Sequence, residues 1–249
     1  MKTMARMYRI GWKVLPALAL LSFAFLSGCK NADFLSTQQE VQIGRQAAAD
    51  IAKQYKVDDT SPEALRVKRI GMRLLEHINK RPGVPYSFHV LDNNVINAES
   101  LPGGPVYVFK GLLKVVGNND DALACIIGHE LGHINARHSA KKISEQIQTN
   151  AAIAILVKGN AAQQIAGLGA NLLNLQYSRA DEYEADKRGL SYAYKAGYDP
   201  QGMIWFFKKL EELNKSGNTP EFLRDHPLTK DRIARAEKII ETHDYPYGH

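Results

Sequence analysis

Residues 129 to 133 read His-Glu-Leu-Gly-His. On a helix, positions i and i+4 share a face, so His129 and His133 can aim two imidazole nitrogens at one Zn²⁺. Glu130 follows the first histidine, rotated about 100° around the axis, close to the metal without being a ligand. That is the place for the general base that deprotonates an attacking water. A catalytic zinc usually takes three protein ligands, so a third must come from elsewhere in the chain. The acidic stretch Ser178 to Asp186, free of Gly and Pro, contains the candidates. Glu182 and Asp186 stand at i and i+4, so one carboxylate can bind the metal while the other accepts a ligand histidine's second N–H. On spacing alone Asp181 and Glu184 compete with Glu182 for the ligand role; otherwise they belong to a solvated helix face.

These residues need rigid elements. Asn118-Asn119-Asp120-Asp121 supplies an N-cap and first-turn acids, and the apolar run Ala122 to Ile127 predicts a buried helix from Asp120 to about Ser139, with the histidine pair in its middle. Upstream, Ser36 caps a helix extending to about Tyr55. Ser61-Pro62-Glu63 opens another, with apolar spacing through Leu65, Ile70, Leu74, Leu75 and Ile78, broken at Pro82-Gly83-Val84-Pro85. Tyr86 to Leu91, Val95 to Ala98 and Val106 to Phe109 read as short strands, the last two joined by a Gly103-Gly104 turn with room for positive φ. Met203 to Leu213 is an amphipathic helix whose Trp205, Phe206 and Phe207 are expected in the core, and His226-Pro227-Leu228-Thr229 begins the last helix.

Four blocks carry a family resemblance: Ile126 to His133, Ser178-Arg-x-x-Glu-x-Glu-Ala-Asp-x-x-Gly189, Asn97 to Val108, and Ala196-Gly-Tyr-Asp-Pro200 with His226-Pro227. Together they resemble metallopeptidase family 48, which includes the HtpX-type heat-shock proteases, the CAAX prenyl proteases and the mitochondrial Oma protease. The match covers about residues 38 to 240. It implies a mostly helical α+β, gluzincin-like fold with one small sheet beside the metal helix. It assigns the third Zn²⁺ ligand to Glu182, with Asp186 supporting a ligand histidine. It also implies that the segment around Asn97, Gly103 and Gly104 receives an extended or unfolded protein substrate along a sheet edge, where main-chain hydrogen bonds hold any sequence; read without the family, the segment is a β-hairpin. One departure is Glu99-Ser100, where the family often carries an aromatic or small apolar pair, and this bears on local substrate preference.

His226 either packs a turn or reaches the metal or the reacting carbonyl, as an oxyanion stabiliser or as a switch closing the fourth metal position. Arg232 is a second oxyanion candidate, since a fixed cation stabilises developing negative charge. Cys125, one turn before His129, is read as a small buried hydrophobe, and His243 and His249 as exposed and without role.

Lys2, Arg6, Arg9 and Lys13 precede an apolar core from Val14 to Phe25 that is too short to span a bilayer comfortably. Leu26-Ser27-Gly28-Cys29 resembles a bacterial lipobox. The expectation is a signal peptide over 1–28, a lipidated tether over 29–35 beginning at Cys29, and a peptidase domain over 36–249; an uncleaved anchor is the alternative. Lys30, rather than Asp, favours the outer membrane. Removing residues 1–28, which hold four basic and no acidic residues, takes the formal net charge from +6 to +2. No basic run then remains to suggest nucleic acid. Between the metal helix and Glu182, Lys158, Asn160, Gln163 and Gln164 interrupt every apolar run, so two amphipathic helices are expected, as a lid, a membrane-facing surface or core packing.

The reading is a zinc endopeptidase of the bacterial envelope that acts on misfolded or damaged proteins. Its rival is a chaperone or assembly factor whose zinc site is normally shut. No repeat is read after the peptidase region, so an appended partner-binding module is not expected, which weighs against the rival.

Overall fold

A computed structural model of the chain describes residues 35–157 and 176–249, with side chains through 149 and from 176. The signal-like segment, Cys29, the tether through Phe34 and the expected helix over 161–175 lie outside the described residues.

Helix α1 (Thr37–Gln54) starts where Ser36 and Gln39 exchange hydrogen bonds in a capping box, and α2 (Pro62–Glu76) starts at Ser61, whose hydroxyl accepts from Ala64 N–H. Between them lies a two-residue strand, β1 (Val57–Asp58), which local pattern did not suggest. β2 (Ser87–Leu91), β3 (Ala98–Ser100) and β4 (Pro105–Phe109) complete a four-stranded mixed sheet of order β1-β2-β4-β3. β2 and β4 run parallel with Phe88 opposite Val106, while β3 and β4 form the expected antiparallel hairpin with Glu99 opposite Tyr107. Gly103 and Gly104 turn it at φ 75° and 127°, values open to glycine. Val95 to Asn97 is not strand: Ile96 O accepts from Phe222 N–H, at the start of a one-turn helix, and only Asn97 O, accepting from Phe109 N–H, reaches β4.

After α3 (Lys110–Val116), helix α4 (Asp120–Ala136) is capped by the Asn119 side chain on Ala122 N–H. It does not run to Ser139. Arg137 adopts a left-handed conformation at φ 62°, which ends α4 and starts a second helix, α5 (His138–Val157), in a new direction. Residues 151–157 thus continue α5 rather than opening a helix of their own. Then come α6 (Arg179–Lys195), α7 (Gln201–Lys215), the one-turn α8 (Phe222–Asp225) and α9 (Lys230–Thr242), capped by Thr229.

α4 is buried on nearly all sides, at the centre of a core that includes Val67, Ile70, Leu74, Val106, Val108, Leu123, Ile127, Leu190, Phe206 and Phe207. Two expected core residues, Leu65 and Trp205, are 56% and 38% exposed, because each falls on the outer side of an otherwise apolar face. Cys125 is buried, as expected, with its sulfur near the carbonyls of Asp199 and Pro200. Among the described residues no helix is long and apolar enough to cross a membrane.

The contact that matters most for function is α4 against α6. A Cβ on Gly189 would stand 2.8 Å from His129 N, and one on Gly128 would stand 3.0 Å from Gly189 O. Helices packed through side chains lie 8–10 Å apart; bare glycines at the crossing let these two backbones touch. The first turns of α6 are thereby brought under the histidine pair.

Candidate metal centre

His129 and His133 project from α4, Glu182 from α6, and His226 from the turn after α8. One donor atom from each of the four lies within 4.8 Å of the others, and all four side chains are buried. His129 Nε2 is 3.0 Å from His133 Nε2 and 3.2 Å from His226 Nδ1. Glu182 Oε1 is 3.0 Å from His226 Nδ1 and 3.5 Å from His133 Nε2. Three imidazole nitrogens and a carboxylate converging on one point cannot all satisfy each other by hydrogen bonds. With their lone pairs directed inward they would repel unless a cation lay between them, so the donor set fits a metal ion.

Each donor is held from behind. His129 Nδ1 lies 3.0 Å from Asp186 Oδ1. Arg232, only 1% exposed, grips both Asp186 oxygens at 2.7 and 2.8 Å and reaches Glu182 Oε2 at 2.6 Å. Its remaining contacts go to the carbonyls of His226 and Pro227. This departs from the oxyanion role expected for Arg232: its donors are spent on the carboxylates and on the turn that carries His226, leaving none directed at a substrate. His133 Nδ1 meets His138 Nδ1 at 2.9 Å. The Tyr177 ring stacks on His133 with centroids 3.9 Å apart, and its hydroxyl is 2.9 Å from that of Ser139.

The electrostatics separate the acids. Burial raises the Glu130 carboxyl above the usual range, opposed by His226 and His129. Neither Glu130 oxygen completes a hydrogen bond among the described residues, though the Ser100 hydroxyl is close enough to favour the charged form; His226 Nε2 is 3.6 Å away. For Glu182, burial pushes the same way, but His226 and Arg232, with hydrogen bonds from His133 and His226, outweigh it and hold the carboxyl well below the ordinary range. Asp186 is lowered likewise, Arg232 and His129 outweighing burial. His133 is held well below the usual imidazole value, first by burial. His226 is pushed up to about 9: desolvation opposes the charge, and Glu182 and Glu130 prevail.

The competing acids are accounted for. Asp181 closes the capping box of α6, its carboxylate accepting from Ser178 N–H at 2.9 Å, and Glu184 pairs with Arg188 at 2.7 Å. Asn97 does not sit on the edge strand. Its buried amide bridges Glu99 Oε1 at 2.8 Å and Asp225 Oδ2 at 2.9 Å, tying the start of β3 to the segment just ahead of His226. Gly103 and Gly104 lie at the hairpin turn, packed on Val41 and Pro85. Sequence reasoning passed over His138 and Tyr177. A histidine five residues past the motif, beyond a helix end, was the available signal for the first; for the second there was only its place before the Ser178 cap.

The family model for peptidase family M48 matches residues 61–240, a span that holds His129, Glu130, His133, His138, Glu182, Asp186, His226 and Arg232. The chain belongs to peptidase family M48. Its M48 relatives include the metalloprotease LoiP of Escherichia coli K12, 28% identical over 88% of this chain and 94% of the relative. The mitochondrial metalloendopeptidase OMA1 of Schizosaccharomyces pombe is 29% identical, over 88% of this chain and 66% of its own length. The β-barrel assembly-enhancing protease of E. coli K12 is 28% identical over 84% of this chain but 45% of the relative, so the chain spans about half the length of that protein. The chain thus belongs to a metallopeptidase family, and the converging His-His-Glu-His group is a donor set that could hold a metal ion.

Proposed function

We propose that this M48 chain is a zinc-dependent endopeptidase of the bacterial cell envelope, with His129, His133 and Glu182 as metal ligands and Glu130 as general base. The observation that carries the reading is the pairing of a convergent ligand set with one buried carboxylate, Glu130, that has no hydrogen-bond partner of its own among the described residues. Imidazole-rich N/O donor sets suit zinc, and zinc supplies Lewis-acid polarisation of the attacking water and the scissile carbonyl. Glu130 takes a proton from the attacking water and delivers it to the leaving amine; its burial, which favours the protonated form, suits a group that must hold that proton between the two steps. Asp186 and Arg232 orient His129 and Glu182. The outer side of β3 offers main-chain groups to an extended protein substrate, since no strand pairs there among the described residues.

The position of His226 supports a second layer. Its Nδ1 lies within the donor group, so His226 can occupy the fourth metal position and leave the enzyme latent until it withdraws. A latent site is also what the assembly-factor reading requires, and the name of the β-barrel assembly-enhancing relative is in keeping with that alternative. The domain plan is a signal peptide over 1–28, a tether over 29–35 lipidated at Cys29 and facing the periplasm from the outer membrane, and a peptidase domain over 36–249.

The test is zinc content and casein cleavage by the full chain beside Glu130→Gln. About one zinc per chain in both proteins, with cleavage in the wild type alone, is the expected result; equal cleavage by both removes Glu130 as the base. His226→Ala should raise the cleavage rate if His226 gates the site, and an unchanged or lower rate would refute gating.

A further inference from the structure

The two ligand histidines of α4 are backed by different chemistry. Both offer Nε2 to the donor group, and a nitrogen that binds a metal carries no proton. Each ring must then carry its proton on Nδ1 and donate it outward. For His129 the group facing Nδ1 is a carboxylate, Asp186, 3.0 Å away in a charge contact rather than a formed hydrogen bond. For His133 it is another imidazole, because His133 Nδ1 faces His138 Nδ1 at 2.9 Å. With His133 donating, His138 must accept at Nδ1 and carry its own proton on Nε2. That nitrogen is buried, completes no hydrogen bond among the described residues, and faces Asp181 Oδ1 and Glu184 Oε2, each at 3.5 Å, through charge alone. The proton placement is consistent from the ligand position through His133 to His138, and the charges of the two acids of α6 favour a proton on the far nitrogen.

We propose that His138 is a positioning residue of the metal centre: it fixes the tautomer and the ring orientation of His133. The inference rests on His133 being a ligand. The fold supports it independently of local sequence. His138 reaches His133 only because Arg137 breaks α4 in a left-handed turn; on a continuous helix, five residues on, it would project from a different face. Its side chain is fully buried, 0% exposed, where a histidine is costly unless its polar atoms have partners; Nδ1 has His133, and Nε2 has the charges of two acids. The acids behind it are themselves held, Asp181 by the α6 cap and Glu184 by Arg188. His133 is thus pinned by one line of contacts running into the first turns of α6, and His129 by another, through Asp186 and Arg232.

The test compares His138→Asn with His138→Leu in the full chain. Asn keeps an acceptor close to the place of Nδ1; Leu fills the space without one. Zinc affinity is read by competition with a chromophoric chelator, and ligand geometry by the visible absorption of the cobalt-substituted protein. Removing an outer partner of a ligand histidine typically costs about 10- to 100-fold in metal affinity. His138→Leu should lose affinity in that range and change the cobalt spectrum, while His138→Asn stays within about threefold of wild type with the wild-type spectrum. Thermal unfolding of the metal-free proteins checks that both variants fold. Wild-type affinity in folded His138→Leu overturns the proposal, as does equal loss in both folded variants, since that marks a packing role. If Leu fails to fold, Asn alone decides: a weakened or spectrally altered site refutes the acceptor role. Failure of the wild type to bind zinc would instead refute the metal-ligand reading on which the proposal stands.

Discussion

Glu130 on α4 and Glu182 on α6 are the same side chain, both almost completely buried beside the same histidines, and their carboxyls are driven in opposite directions. Burial raises both. What differs is what stands within reach. Glu182 has Arg232 at 2.6 Å and His226 at 3.0 Å, so its charged form is held in place. Glu130 has no hydrogen-bond partner among the described residues, and its nearest cationic group, His226, is 3.6 Å away. An acid kept charged suits metal binding, and an acid whose proton affinity is raised suits proton transfer. Two roles therefore follow from environment rather than from residue type, and the comparison can be broken from either side.

The largest expected effect is on Glu130. Glu130→Gln should lower turnover by at least about 10²–10⁴-fold, the usual contribution of a general base, with zinc content unchanged; it is measured as casein hydrolysis against metal analysis. Glu182→Gln should lose metal, more severely than the about 10- to 100-fold expected for an outer partner. Equilibrium dialysis against zinc reads that loss, and retained stoichiometric zinc would move the ligand to another acid. The separation of the two roles also depends on the helix crossing. Gly189→Ala puts a methyl 2.8 Å from His129 N. Overpacking of this kind costs about 1–3 kcal/mol, so chemical denaturation should show a lower midpoint together with weaker metal binding. An unchanged midpoint would mean that α4 and α6 can separate without cost.

A third carboxylate sharpens the rule. Glu99 is raised to about 8 from an ordinary 4.5, first by burial and then by the charges of Asp225 and Glu130. A group with a raised folded value binds a proton on folding, so stability falls as pH rises from about 4.5 to about 8 and levels off above. Glu99→Gln should remove this decline, leaving the variant close to wild type at pH 4 and more stable than wild type at pH 9. Denaturant midpoints across that range check the sign, and a variant that is less stable at pH 9 would show that the Glu99 charge is compensated.

Much of this was legible locally. Ser36, Ser61 and Asn119 marked helix starts because a side-chain acceptor beside free N–H groups is a short-range device. Asp181, Glu182 and Glu184 were not separable by spacing. Capping and an i,i+4 pair with Arg188 occupy two of them, and the crossing of α6 over α4 aims the third inward. Leu65 and Trp205 misled because an apolar residue one position off a helix face looks like core in composition and faces solvent in space. Arg232 misled for a related reason: its type suggested a free cation, and only its neighbours reveal that its donors are taken.

The sequence by itself determined the helix that carries His129, Glu130 and His133, because the period of a helix converts spacing into direction without help from the rest of the chain. Its motifs also placed the chain in a metallopeptidase family and singled out Glu182 and Asp186. Tertiary structure decided everything that depends on chain segments far apart. It brought His226 into the donor group, turned Arg232 from a candidate catalyst into a clamp on two carboxylates, and set His138 behind His133. None of these has a local period. Each depends on how closely α4 and α6 approach and where the left-handed turn at Arg137 sends the chain, and those are settled by packing.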